Sequence, residues 1–159
     1  MDKTEQAVAL YKKDYHCSQS VFVSFCEEFG IGREQGFKLS KFAGAGFLWY
    51  GDFCGAITGA LMIYGLKYAP GEKQDEFAEE IFFHVCNEHI RRFEKIHGSI
   101  KCRNLLDKDL SKEEELTEIR ENDLFNLKCP GFVKDSAEIL SQIIKETDER
   151  MLKFRSASE

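Results

Sequence analysis

Apolar residues recur along this chain at intervals of three and four, the period of a helix packed on one face. Ala7 and Tyr11 share a face of the first segment, and Cys17, Val21, Phe25 and Phe29 share one within CSQSVFVSFCEEFG. Gly30 follows at the place of a left-handed helix cap. A shorter helix is expected in REQGFKLSKFAG, running into the glycine-punctuated loop GAGFLWYGD. The next helix spans Cys54 to about Tyr68 and closes at the APGE turn. The clearest stripe joins Ala78, Phe82, Val85, His89, Phe93 and Ile96 in a helix over 72–97, with Gly98 as its stop. A helical turn is expected at CRNLL, and Ser111 with Glu114 has the form of a capping box for a modest acidic helix. The last helix is expected to open at Pro130, a favoured first position, and to carry Val133, Ala137, Leu140, Ile144 and Met151 inward. Nothing alternates like a strand pair. The pattern therefore predicts an all-α, single-domain, multi-helix bundle over 1–159 with a glycine-rich central helix.

Composition narrows the function classes. The chain has 159 residues, 43% of them hydrophobic, which is enough for one domain with a core. Fourteen phenylalanines make that core aromatic, and only two prolines interrupt helices. A net charge of −6 and the acidic run SKEEELTEIRE lack the basic footprint that nucleic-acid binding requires. The opening MDKTEQAVALYKKDY is polar and amphipathic rather than secretory. The longest apolar run, over 53–66, is shorter than the roughly 20 residues of a membrane span. A soluble, cytoplasmic protein without membrane insertion is expected, and aromatic residues around Trp49 leave a homodimer open.

The six cysteines change the picture most. Cys26 and Cys86 fall inside helices next to stripe positions, where a free cysteine behaves as a small hydrophobe. Cys17, Cys54, Cys102 and Cys129 are instead expected at helix N-termini, where free N–H groups and the helix dipole favour thiolate. Glycines at 55 and 59 are costly inside a helix. Either another helix or a cofactor approaches the backbone at Gly55 and Gly59.

Four segments carry a resemblance: YHCSQSVFVSF, FCGAITGALMIYGLKY, RFEKIHGSIKCRNLL and CPGFVKDSAEIL. Together they are similar to the C-GCAxxG-C-C family of redox-active proteins, with a family-like core of about 7–144. The family's marks fall on Cys17, on Cys54-Gly55-Ala56-Ile57-Thr58-Gly59, on Cys102 and on Cys129. The resemblance implies redox work by four cysteines and names no substrate. Members have a more glycine-rich loop before the motif, whereas Phe47-Leu48-Trp49-Tyr50 stands here.

The intervals between these cysteines are 37, 48 and 27 positions, so no Cys-x-x-Cys pair or ferredoxin run exists. A four-thiolate site would have to be assembled by tertiary folding. Three chemistries remain open. The first is an iron–sulfur cluster that passes single electrons to an unknown redox partner. The second is dithiol/disulfide chemistry with Cys54 as nucleophile, for example with Cys17 as its partner and Cys102 with Cys129, the pairing being open. The third is a structural zinc in an interaction module. No Cys-x-x-Cys-His is present, so haem is not expected. Glu94-Lys95-Ile96-His97 is a single Glu-x-x-His, short of the two that a di-iron bundle needs. His97 is expected to meet the carbonyl end of its helix, and His84 and His89 to be packing or solvated residues. His16, beside Cys17, could tune or replace a thiolate.

Overall fold

The computed structural model describes residues 1–157 and is helical almost throughout. Nine α-helical elements follow in order among the described residues, with 3₁₀ turns at Cys26–Phe29 and Lys41–Ala43 between them: α1 (Lys3–Tyr11), α2 (Cys17–Phe25), α3 (Arg33–Ser40), α4 (Gly44–Phe47), α5 (Gly55–Tyr68), α6 (Glu76–His97), α7 (Cys102–Leu106), α8 (Glu113–Glu121) and α9 (Leu124–Ala157). The fold is all-α, with no strand among the described residues. A single antiparallel bridge joins Phe53 to Lys101.

α5 is apolar on every side, and such a helix must be enclosed. It packs on α2 across one face and on α6 and α9 across others, while α1 crosses α2 and α9. Phe22, Ile57, Ile63, Tyr64, Phe93 and Leu140 fill the space between them, all nearly inaccessible to water. Each such side chain contributes about 1.5–3 kcal/mol by leaving water. A smaller core of Leu106, Leu110 and Ile119 lies under α7 and α8. No described helix is long and apolar enough to cross a membrane.

Gly98 caps α6 in the left-handed conformation, as the pattern predicts; Gly30 does so too, but for a 3₁₀ turn over Cys26–Phe29 that follows the end of α2 at Phe25. Three further boundaries differ from expectation. α6 begins at Glu76 rather than Glu72, because the Asp75 carboxylate accepts from the Phe77 and Ala78 N–H groups and sets the start there. Ser111 does not cap α8; its N–H and hydroxyl both donate to Asp109, and Glu115 reaches back to accept from the Asp109 N–H. Pro130 lies inside α9, which starts at Leu124. The Asp123 carbonyl accepts from Leu127 N–H and its carboxylate from the Asn126 side chain, so the helix nucleates a turn and a half before the proline. Pro130 then removes one helical hydrogen bond without ending the helix.

His89 is fully buried between α5 and α9. Its Nδ1 lies 3.0 Å from the Tyr64 hydroxyl and its Nε2 3.0 Å from Ser136 Oγ, which donates to the Ala56 carbonyl at 2.7 Å. One proton arrangement satisfies all of these: Tyr64 donates to Nδ1, and Nε2–H donates to Ser136. Burial, with Arg92 adding to it, pushes the imidazole down to about 3 from its ordinary 6.5. The unfolded chain therefore binds a proton that the folded one rejects. The stability from neutral His89 is complete above pH 6.5 and is lost as the pH falls towards 3. Urea unfolding at a series of pH values should show a slope of up to about 1.4 kcal/mol per pH unit across that window.

Candidate redox site

Two segments are locked side by side just before they turn into helices. Cys54 N–H donates to the Ile100 carbonyl at 2.8 Å, and Cys102 N–H donates to the Asp52 carbonyl at 2.7 Å. This exchange around the Phe53–Lys101 bridge brings the N-cap of α5 against the first residue of α7, although 48 positions separate the two cysteines. Arg103 completes the joint by donating to the Gly51 and Tyr50 carbonyls at 3.1 and 2.7 Å.

Cys17 arrives by helix packing. A Cβ at Gly55 would stand 2.4 Å from Cys17 Sγ, and one at Gly59 would stand 2.6 Å from the Ser18 carbonyl. The small face of α5 thus admits α2, and with it Cys17, rather than the Cys102 or Cys129 segment. Cys129 lies on the second turn of α9, not at a helix start. Its thiol lies against the hydroxyl of Tyr11, whose single proton goes to the Phe125 carbonyl at 3.2 Å.

The four cysteines lie where the two cores adjoin, Cys17 and Cys54 on the main one and Cys102 and Cys129 on the smaller, and Cys17, Cys102 and Cys129 line one cleft. Charge on Cys17, Cys102 or Cys129 acts on Cys54, and charge on Cys17 acts on Cys102 and Cys129 as well. Cys26 and Cys86 are buried elsewhere and take no part in this coupling. Among the described residues, no three His, Cys, Asp or Glu side chains already stand grouped as ion ligands.

The environment does not favour thiolate as the helix starts suggested. Burial raises every one of the four thiols, and neighbouring sulfur charge raises Cys54, Cys102 and Cys129 further. Cys129 is pushed up to about 12. Cys54 is 4% exposed, so it is not a nucleophile at an open helix mouth. Desolvation outweighs the partial charge of a helix end, because the end offers a few N–H dipoles while burial removes the whole hydration shell. Cys17 is the best supported, with the amides of Ala45, Ser18 and Gly55 and its own N–H directed at its sulfur.

The Ala45 amide is held there by an unusual backbone. Ala45, Gly46, Phe47, Leu48 and Trp49 have φ of 52°, 65°, 64°, 49° and 71°, five consecutive residues in the left-handed region. The expected loop is thus a left-handed turn built around α4. It is closed by Asp52 N–H to the Gly46 carbonyl at 2.9 Å and Tyr50 N–H to the Phe47 carbonyl at 2.9 Å. Each non-glycine residue there costs about 1–2 kcal/mol. Leu48 is 61% exposed and contributes little burial in return. Leu48→Gly should therefore raise stability by roughly 0.5–1 kcal/mol in urea or thermal unfolding, after the extra freedom of the unfolded glycine is subtracted.

His16 caps α2 and sets its ring edge-on to Trp49, 6.0 Å between centroids. Burial, then Lys41, pushes its imidazole down. His97 does not serve the end of its helix. It pairs with Asp135 at 3.0 Å and packs against Phe93 and Phe132. Glu94 is exposed beside it, and His84 is exposed on the same helix. Tyr11 and Arg103 were not expected at the site. The only signal for them was a core-facing residue with a polar tip, and a cation adjoining Cys102.

A family model described as "Putative redox-active protein (C_GCAxxG_C_C)" matches residues 15–143. The chain belongs to that family. The matched span contains all four cysteines and the left-handed turn. No curated protein and no solved structure matches the chain.

Proposed function

We propose that this member of the redox-active C_GCAxxG_C_C family is an electron carrier. In this reading Cys17, Cys54, Cys102 and Cys129 hold an iron–sulfur cluster, most simply [2Fe–2S]. The observation that carries the reading is the approach of four buried cysteines from separate helices: Cys17, Cys102 and Cys129 line one cleft, and the Phe53–Lys101 bridge sets Cys54 beside Cys102. Singly, such thiols are poor nucleophiles at neutral pH. As a set they suit a soft, cationic group, which displaces their protons on binding and reverses the local charge balance. Such a cluster supplies one-electron chemistry when bound. The chain's own residues tune and protect it: the amides on Cys17 are placed to hydrogen-bond sulfur, the Tyr11 hydroxyl lies against Cys129, and the surrounding rings limit water. Gly55 and Gly59 act through packing, by admitting α2, rather than by touching the cofactor.

Dithiol/disulfide exchange is the second reading. It is favoured because a pair needs only one sulfur–sulfur approach, whereas no three ligands are yet grouped among the described residues.

The test is a visible spectrum with iron, sulfide and zinc analysis on protein prepared without oxygen. Brown, sulfide-containing protein that bleaches with dithionite is the expected result. Metal-free protein with reversibly oxidised thiols would replace the cluster by disulfide chemistry. Stoichiometric zinc without sulfide would make the chain a structural or binding module.

A further inference from the structure

A cleft of about 340 Å³ opens from the thiols to the surface, within the size range of small-molecule sites. Cys17, Cys102 and Cys129 line its inner end. Cys54 does not line it, so the cleft reaches the sulfur centre from one side. The outer end is aromatic. Trp49 stands edge-on to Phe125 at 6.0 Å and to His16 at 6.0 Å, and Tyr15 adds a further ring. Such walls accept a flat ring by stacking or edge contact.

The mouth carries charges of both signs. Asp14 and Asp123 stand there with Arg120, so neither an anion nor a cation meets a field of one sign. Arg120 is exposed and has no ion-pair partner among the described residues; its guanidinium lies over the Trp49 ring at 5.7 Å. With the Asn126 amide it offers hydrogen-bond donors at the rim, suited to neutral carbonyl oxygens.

We propose that this cleft binds a small, uncharged, planar quinone as the electron acceptor of the sulfur centre. The inference rests on the redox reading above for its chemistry, though not for the binding itself. In the step it implies, the sulfur centre gives up one electron at a time and is re-reduced by a one-electron donor protein between two such transfers. The two carbonyl oxygens of the quinone take up those electrons with two protons from water at the open mouth, and the hydroquinone leaves. The strained turn has a role here, because Ala45 and Trp49 within it form part of the cleft wall.

The probe is tetramethyl-p-benzoquinone, whose fully substituted ring leaves no position for thiol addition. Titration of the full chain without oxygen, by calorimetry and by emission of Trp49, the single tryptophan, should show saturable one-to-one binding. Asn126 is exposed, so Asn126→Phe fills the mouth from outside the core; it gives up the Asn126–Asp123 contact, while the Leu127 N–H bond to the Asp123 carbonyl still starts α9. It should weaken binding by about tenfold or more while circular dichroism shows the same helix content. Arg120→Gln, also at an exposed position, should weaken binding less. An absence of saturable binding, or equal binding by wild type and Asn126→Phe, would overturn the proposal. Iron, sulfide and thiol content measured on the same samples separates the two ideas. A loaded centre with no quinone binding leaves the electron carrier and removes this acceptor. Quinone binding to a chain without any redox centre keeps the cleft and removes the carrier.

Discussion

Leucine at position 59 is expected to abolish the fold. The nearest neighbours of a Cβ at Gly59 are the Ser18 carbonyl at 2.6 Å, Val21 Cβ at 3.2 Å and the Phe22 nitrogen at 3.3 Å. Two of these are backbone of α2, which cannot turn aside as a side-chain tip can. α2 and α5 would have to separate along their shared face, opening the contact among Phe22, Ile57 and Val21. Overpacking within a core costs about 1–3 kcal/mol where side chains can adjust. A clash with backbone and the loss of that contact should bring the total to about 4 kcal/mol or more, a large part of an ordinary domain's stability. Gly59→Ala is the graded companion. It gains about 1 kcal/mol of helix propensity yet should still be less stable than the wild type. Circular dichroism through a urea titration measures both. A folded Gly59→Leu with unchanged midpoint would show that the two helices do not need this close approach.

Cys54→Ser should remove the redox centre while leaving the helices intact. Charge on each of the other three cysteines acts on Cys54, which makes it the hub of the set. A serine hydroxyl is a hard, weakly acidic group and a poor substitute for a soft thiolate ligand. Position 54 is the N-cap of α5, however, and serine is among the preferred N-caps. The thermal midpoint should therefore stay near wild type while iron and sulfide, or reversible thiol oxidation, fall to background. Cys26→Ser and Cys86→Ser should show the opposite. Their buried sulfurs pack among side chains away from the site, so stability falls and the redox content stays. If all three variants kept the same metal and thiol behaviour, the division of the cysteines into two kinds would be wrong.

The interior of the bundle was legible because burial follows the helical period. Val85, His89 and Phe93 of α6, and Val133, Ala137 and Leu140 of α9, are buried where the stripes place them. Ile96 is not, since the stripe runs past the end of the packed surface. Helix starts were less legible wherever two local signals competed. Pro130 is a good first residue, but Asp123 begins the helix earlier, and this displaces Cys129 from a cap into a helical turn. The left-handed run over Ala45–Trp49 could not be read from residue types. Four of its five members disfavour that conformation, and only contacts with the rest of the chain hold them there.

By itself the sequence determined the helical class, the main interior faces and the small face of α5. These are properties of local spacing and composition, which need no knowledge of distant neighbours. The tertiary structure alone decided that α2 fills the small face and that the Phe53–Lys101 bridge sets Cys54 beside Cys102. It also decided that the thiols are held neutral rather than ionised. A thiol's charge depends on the water it loses and the charges it meets, and both are fixed only when segments far apart in the chain close around it.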